Sequence, residues 1–301
     1  MQYKRIKRNV NGVLLLDKPI GFSSNQALQK IKWLYQAAKA GHTGTLDPLA
    51  TGLLPICLGE ATKFAQYLTD ADKTYVATVK LGMTTTTGDA EGETITTKDV
   101  DVSAVQFEEA CQQFLGEIKQ VPPMYSALKH EGKALYEYAR AGIEVERKAR
   151  AVTIKEIAVD ALSDDVAQVT VTCTKGTYIR TLAEDIGAVL SCGAHLIGLR
   201  RTTTAGYVLA QSITVEALEA MAAESRDALL LPVDSAISTM PKVTLDTDAT
   251  YYLMQGQPVW VAGKIPNSEL RLYDESNGFL GLGYLQDDGK IAPKRLIKKS
   301  D

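Results

Sequence analysis

Strands that succeed one another without an intervening helix limit the folds open to this chain more than any other feature. In "KTYVATVKLG" (73–82), Tyr75, Ala77, Val79 and Leu81 alternate onto one side of an extended segment. "RAVTIKEIAVDAL" and "AQVTVTCTKG" read as further, hairpin-like strands. "GVLLLD" (12–17) and "LLPICLG" (53–59) read as short buried strands. Helical segments lie among them. "NQALQKIKWLYQ" follows a cap at Ser23 or Ser24, and "EATKFAQYL" sets Phe64, Ala65 and Leu68 on one face. "VQFEEACQQFLG" places Phe107, Ala110, Cys111 and Phe114 at i, i+3, i+4 and i+7. "GKALYEYARAG" and "YIRTLAEDIGAVL" are further helices, the last opening on Tyr178, Ile179 and Arg180. With no regular βαβ alternation, the pattern predicts an α+β fold with a mixed, mostly antiparallel sheet flanked by helices.

The pattern changes over 232–248, where "LLPVDSAISTMPKVTLD" carries two prolines and short apolar pieces, as a linker would. Short strands follow in "QPVWVAG", "ELRLYDESNGFLGLGYLQDDG" and "APKRLI". The expected division is a large domain over 1–240 and a small β-rich one over 241–301.

Composition removes several classes of function. Apolar residues at 45% and charged ones at 23% fit a packed globular chain and leave disorder, collagen and coiled coil as poor fits. No apolar run is long enough to span a bilayer. The apolar stretch Val13 to Leu16 ends at Asp17 and Lys18, whereas a signal core needs about 7–15 apolar residues, so a cytoplasmic protein is expected. Cys57, Cys111, Cys173 and Cys192 lie far apart and read as reduced, buried thiols. The three histidines, His42, His130 and His195, lack metal-ligand spacing, which argues against a zinc site.

The net charge of −3 hides an uneven distribution. Residues 1–11 hold four Lys/Arg and no acid, 129–155 hold seven against four, and 289–301 hold five against one. Acids gather in 89–109, seven against one Lys. Separated basic patches suit a polyanion that touches some faces only, although solvated surface charge explains them equally well.

The segment least suited to helix or strand is "GHTGTLDPLATG" (41–52). Asp47 precedes Pro48, which biases it to extended backbone, and Gly41, Gly44 and Gly52 allow unusual angles or close approach. Such a loop can present one carboxylate rigidly at a cleft. It can equally be a turn that Asp47 caps.

This segment, extended as "GHTGTLDPLATGLLPICLGEATKFAQYL", resembles the catalytic segment of the TruB family of pseudouridine synthases. Further motifs follow in that family's order: "GVLLLDKPIGFSSN", "KTYVATVKLGMTTTTGDAEG", "QVPPMYSALKHEGKALYEYARAG", "CTKGTYIRTLAEDIG" and "GAHLIGLRRTTTAGY". "GFLGLGYLQDDGKIAPKRLI" is similar to its small PUA-like RNA-binding domain. One departure is Ser23, where many relatives carry Thr; the hydroxyl is kept.

The resemblance implies that a uridine in the T loop of tRNA, position 55, is isomerised to pseudouridine without cofactor or metal. It implies that Asp47 is the nucleophile, Tyr75 the platform for the flipped base, and Arg180 the partner of the catalytic carboxylate. Tyr178 would line the pocket, Leu199 would wall it, and His42 would contact RNA. Lys18 and Lys129 would support the site or meet phosphate, with Arg200 and Arg201 ranked behind them. A monomer needing no protein partner is also implied.

Each residue has a plainer reading. Tyr75 and Leu199 could be ordinary core residues, Arg180 a surface cation in a helix's first turn, and His42 structural, although "GHTG" favours its exposure. A cation is unfavourable in that first turn, which favours a special role for Arg180. Two other functions compete. One is a tRNA chaperone acting on the T arm independently of catalysis. The other is a nucleosidase, disfavoured because glycosidases use a second carboxylate and the loop offers only Asp47.

Overall fold

The computed structural model describes residues 7–298. Lys4 and Arg5 of the basic opening, and Lys299 near the far end, lie outside the described residues. Fifteen elements suffice to place the site. They are strand β1 (Gly12–Lys18), helix α1 (Ser24–Leu34), β2 (Ala50–Leu58), β3 (Lys73–Leu81), α2 (Ala104–Gln112), β4 (Gly116–Gln120), β5 (Arg150–Ser163), β6 (Val166–Cys173), α3 (Ile179–Val189), β7 (Ala194–Thr204) and β8 (Ile213–Thr214) in the large unit. A second unit holds β9 (Lys242–Thr244), β10 (Glu269–Tyr273), β11 (Phe279–Leu285) and β12 (Ile291–Leu296).

The first eight strands run β8-β1-β2-β7-β3-β6-β5-β4 within a ten-stranded sheet. Only β8–β1 and β2–β7 are parallel pairs, so the sheet is mixed and mostly antiparallel as the sequence predicts. The strand sequences explain their positions. In β1, Leu14 and Leu16 pack toward α1 on one face, while Val13 and Leu15 meet Phe64, Leu68 and Leu282 on the other. A strand covered on both faces needs an unbroken apolar run, which "GVLLLD" is. β3 is covered on one face only, so its buried residues alternate.

Helices α1, α2 and α3 supply the matching layer through Ile31, Phe107 and Leu182. Ser23 caps α1 and forms a capping box with Gln26, settling which of the two serines does so. Four expectations change. The helix over 60–68 is broken: a 3₁₀ turn, Gly59–Lys63, ends at Phe64, and a short helix spans Ala65–Asp70. Phe64 is fully buried against Phe279, so packing overrides local continuity. The helix in "GKALYEYARAG" shortens to Leu135–Arg140, after a two-residue strand at Lys133–Ala134. The proposed linker is structured, with a 3₁₀ turn at Val233–Ile237 and β9 pairing parallel to β10. "QPVWVAG" contributes a single bridge, Val259 to Ile291, because Pro258 lacks an N–H and the backbone after Val259 is irregular.

One glycine is fixed by this topology. β2 and β7 pair parallel with Gly52 opposite Arg201, and Gly52 has φ +99°. A Cβ there would stand 2.4 Å from the Arg201 carbonyl oxygen. Gly52→Ala is therefore expected to destabilise the fold by about 1–3 kcal/mol, read as a lowered urea midpoint with an unchanged slope. An unchanged midpoint would mean that the two strands separate more easily than their register implies.

Candidate active site

The parallel pairing of β2 with β7 sets Leu199 opposite Ala50, within the segment 41–52. The antiparallel pairing of β7 with β3 sets Leu199 opposite Ala77 and Arg201 opposite Tyr75. Three strands thus converge on one cleft of about 490 Å³, lined among others by Asp47, Tyr75, Tyr178, Arg180, Leu199 and Arg201.

The loop that carries Asp47 is held at several points. The Leu46 N–H donates to Ser24 Oγ (2.8 Å), and Ser24 Oγ–H donates to the Leu46 carbonyl (3.0 Å). Ala50 N–H donates to the Asp47 carbonyl (3.0 Å), and Gly21 N–H to that of Pro48 (2.8 Å). The turn is therefore closed by backbone, which frees the Asp47 carboxylate from capping. That carboxylate pairs instead with Arg180 Nη2 at 3.1 Å, with its side chain 40% exposed toward the cleft.

Arg180, in the first turn of α3, is 5% exposed. It donates to the carbonyls of Thr87 (3.0 Å) and Tyr125 (2.6 Å) and faces Asp89 Oδ2 at 3.3 Å. Two carboxylates and two carbonyls occupy both Nη atoms of the guanidinium and offset its unfavourable place at a helix start. Burial pushes the Asp47 carboxyl up from its ordinary value; Arg180 opposes this most, Asp89 reinforces it, and Lys18 opposes it again.

Asp89 is the carboxylate that sequence reading did not single out. It lies in the "GDAEG" stretch, forty-two residues after Asp47, and only the fold unites them. Asp89 is 2% exposed, and its Oδ1 accepts from the Thr87 hydroxyl (2.6 Å) and the Glu91 N–H (3.0 Å). The site thus has a second acid, but one closed to solvent and committed to structure. It cannot activate water as a glycosidase base does.

Tyr75 is 7% exposed and lines the cleft from β3, so it is both a core residue and a wall. Burial raises its phenol, and the nearby Arg201 guanidinium opposes that shift. Tyr178 precedes α3; its N–H donates to Gln120 Oε1 (3.0 Å) and its carbonyl accepts from Gln120 Nε2 (3.2 Å). Leu199 is half-buried at the cleft wall.

Four candidates, His42, Lys18, Arg200 and Lys129, fall outside the cleft lining. His42 ends a short strand against Ile56, half-buried rather than exposed, with Nδ1 buried and outside the cleft lining. Lys18 is fully enclosed; it donates to the Pro19 and Phe22 carbonyls, and burial lowers it to about 8. Arg201 is also fully buried. Lys18 and Arg201 therefore support the site and do not meet phosphate. Arg200 is exposed and pairs with Asp17 at 2.7 Å. Lys129 is exposed beside a larger depression of about 680 Å³ that adjoins the cleft at Leu128 and Arg150. That depression is lined by Lys129, Arg147, Lys148 and Arg150 together with Glu131, Glu144 and Glu146, and Arg147 pairs with Glu144.

Among the described residues no group of three or more His, Cys, Asp or Glu is placed to hold a metal. No helix is long and apolar enough to cross a membrane. The fold is that of the pseudouridine synthases, a class of isomerases. Residues 32–179 match the model of the TruB family pseudouridylate synthase N-terminal domain. Residues 180–238 match that of the tRNA pseudouridylate synthase B C-terminal domain, and 241–297 that of the pseudouridine synthase II TruB C-terminal region. The chain belongs to the TruB family. It is 60% identical over 300 residues to tRNA pseudouridine synthase B of Methylobacillus flagellatus, covering 100% of this chain and 99% of that one. It is 52% identical to tRNA pseudouridine synthase B of Pseudomonas aeruginosa, covering 99% of both. A chain in a crystal structure of a Cbf5-Nop10-Gar1 complex shares the fold at a TM-score of 0.71 and 28% identity, covering 95% of this chain and 84% of that one.

Proposed function

We propose that this enzyme converts the uridine at position 55 in the T loop of tRNA to pseudouridine, with Asp47 as its catalytic carboxylate. The observation that carries the reading is one open carboxylate, pinned by Arg180 in a cleft walled by Tyr75 and Leu199. The uridine leaves the loop and enters the cleft, at a cost of a few kcal/mol in lost stacking. Stacking on Tyr75 returns about 1–3 kcal/mol. Asp47 meets the positive character that builds at C1′ as the bond to N1 breaks. The bonding pair leaves with the uracil, which turns; C5 joins C1′ and releases its proton to solvent, and N1 takes one up, so the product is an isomer of the uridine. Attack at C1′, addition at C6 and a glycal route all call on this same carboxylate. Leu199 keeps the freed base in contact, and the enclosed Asp89 is not free to activate water.

Lys129 and Lys148 line the depression beside the cleft and suit the RNA backbone, adding affinity and salt dependence but no base identity. Residues 241–301 form the PUA-like RNA-binding domain beside a catalytic domain over 1–240, and the exposed Lys294 and Arg295 suit that role. His42 approaches the RNA from the rim. The enzyme works as a monomer in the cytoplasm, without a protein partner. Full-length identity to two proteins named tRNA pseudouridine synthase B supports the substrate.

The test is an unmodified tRNA transcript incubated with the protein and mapped by a carbodiimide block to reverse transcription. One stop at position 55 is expected, absent when that uridine is replaced by cytidine. Stops elsewhere, or none, would overturn the assignment.

A further inference from the structure

Arg201 has the largest fully buried side chain among the described residues. Arg180 and Arg200 each hold carboxylates, whereas Arg201 makes no ion pair among the described residues. Its donors go to carbonyls: Nε to Leu53 (2.7 Å) and Nη2 to Gly44 (3.1 Å). Its Nη1 is buried and makes no hydrogen bond of good geometry, and the side-chain group within the guanidinium's reach is the Tyr75 phenol. An unpaired buried cation is costly, and an apolar side chain of similar volume would fill the space more cheaply. A costly group kept in the wall of a reaction cleft points to function.

The geometry says which function. The arch from Gly44 to Gly52 carries Asp47; its Gly44 end rests on the Arg201 guanidinium and its Gly52 end on the Arg201 backbone. At one end Gly44, with φ +73°, lies so close that a Cβ would stand 3.1 Å from Arg201 Nη1 and 3.2 Å from Lys73 Cε. At the other end Gly52 packs on the backbone of Arg201, with a Cβ position 2.4 Å from its oxygen and 2.8 Å from its nitrogen. Across the next strand pair, Tyr75 stands directly opposite Arg201. The charged and titratable groups facing the Tyr75 phenol are Arg201, Cys173 and Asp47. Lys73 lies under the same arch but donates to the carbonyls of Thr69 and Ala71.

We propose that Arg201 is a positioning residue for the isomerisation: its buried guanidinium fixes the Asp47 arch against the strand of Tyr75 and keeps a positive charge beside the phenol. The inference rests on the reading of Asp47 and Tyr75 given above.

Arg201→Met and Arg201→Lys test it, with wild type and Asp47→Asn in parallel. At saturating tRNA, the single-turnover rate of Arg201→Met should fall about 100-fold, as for a misplaced reacting group, while tRNA affinity stays within about threefold of wild type. Arg201→Lys keeps a charge but not the fork that reaches two carbonyls, so it should rescue only part of that loss. In protein labelled with 3-fluorotyrosine, the fluorine resonance lost in Tyr75→Phe reports this phenol. Its titration should move to higher pH in Arg201→Met, because the charge that favours phenolate is gone; a merely structural role leaves it in place.

Gly44→Ala perturbs the same contact from the loop side and decides the matter if Arg201→Met fails to fold. Rates within about threefold of wild type in the folded variants, or an unmoved Tyr75 titration, would overturn the proposal. If Asp47→Asn itself keeps the wild-type rate, the functional reading fails first. If Asp47→Asn is inactive and the Arg201 variants are not, only the positioning role is lost.

Discussion

Asp47→Asn binds unmodified tRNA as wild type does and forms pseudouridine at least about 10⁴-fold more slowly, the scale expected when a catalytic nucleophile is removed. The rate is read as tritium released from C5-labelled uridine, because C5 loses its hydrogen when it becomes the glycosidic carbon. Asparagine keeps the shape and the contact with Arg180, and Arg180 retains Asp89 and two carbonyls, so the loop stays in place. The variant should also be no less stable than wild type at neutral pH. The folded-state Asp47 carboxyl is raised by burial, so folding favours its neutral form. That favourable contribution is present below the unfolded pKa and lost as pH rises through the folded one. At neutral pH the wild-type charge is a cost that asparagine removes. A chaperone acting on the T arm without catalysis would lose nothing in this variant.

Arg180→Met should slow isomerisation on the order of 10²–10³-fold while preserving tRNA binding within severalfold. The buried guanidinium bridges the cleft-facing Asp47 and the enclosed Asp89. Removing it leaves two like charges facing each other and two carbonyls without a donor. Arg180 is the strongest influence holding the Asp47 carboxyl down. In its absence the carboxyl rises further, so the acid limb of the rate profile moves to higher pH, the direction for a base that must be ionised. Double substitution with Asp89→Asn should move the limb part of the way back. An Arg180→Met enzyme with an unmoved acid limb would show that Asp47 does not depend on this pair.

The sheet was legible in the sequence because its strands carry their environments in their composition. β3 alternates because one face is buried, and β1 runs apolar because both are. The break at Phe64 was not legible, since it follows from a contact with Phe279, which lies in the second sheet. In the site, Asp47 was exposed to view by its odd loop and by its resemblance to a known segment. Asp89 was hidden because nothing local marks it: its importance comes from Arg180 alone, ninety-one residues later in the chain. Arg201 misled for a related reason. Two adjacent arginines on a strand point to opposite faces, one to Asp17 at the surface and one into the wall of the cleft, and a sequence does not say which faces inward.

The measurement that bears most directly on the central claim is a mass balance of tRNA nucleosides after incubation with wild type and with Asp47→Asn. The account predicts one pseudouridine gained per uridine lost with wild type, no free uracil, and neither product with a variant that still binds. Free uracil from wild type, or pseudouridine at the wild-type rate from Asp47→Asn, would contradict it: the first would make the cleft a hydrolase site, and the second would leave Asp47 a turn residue.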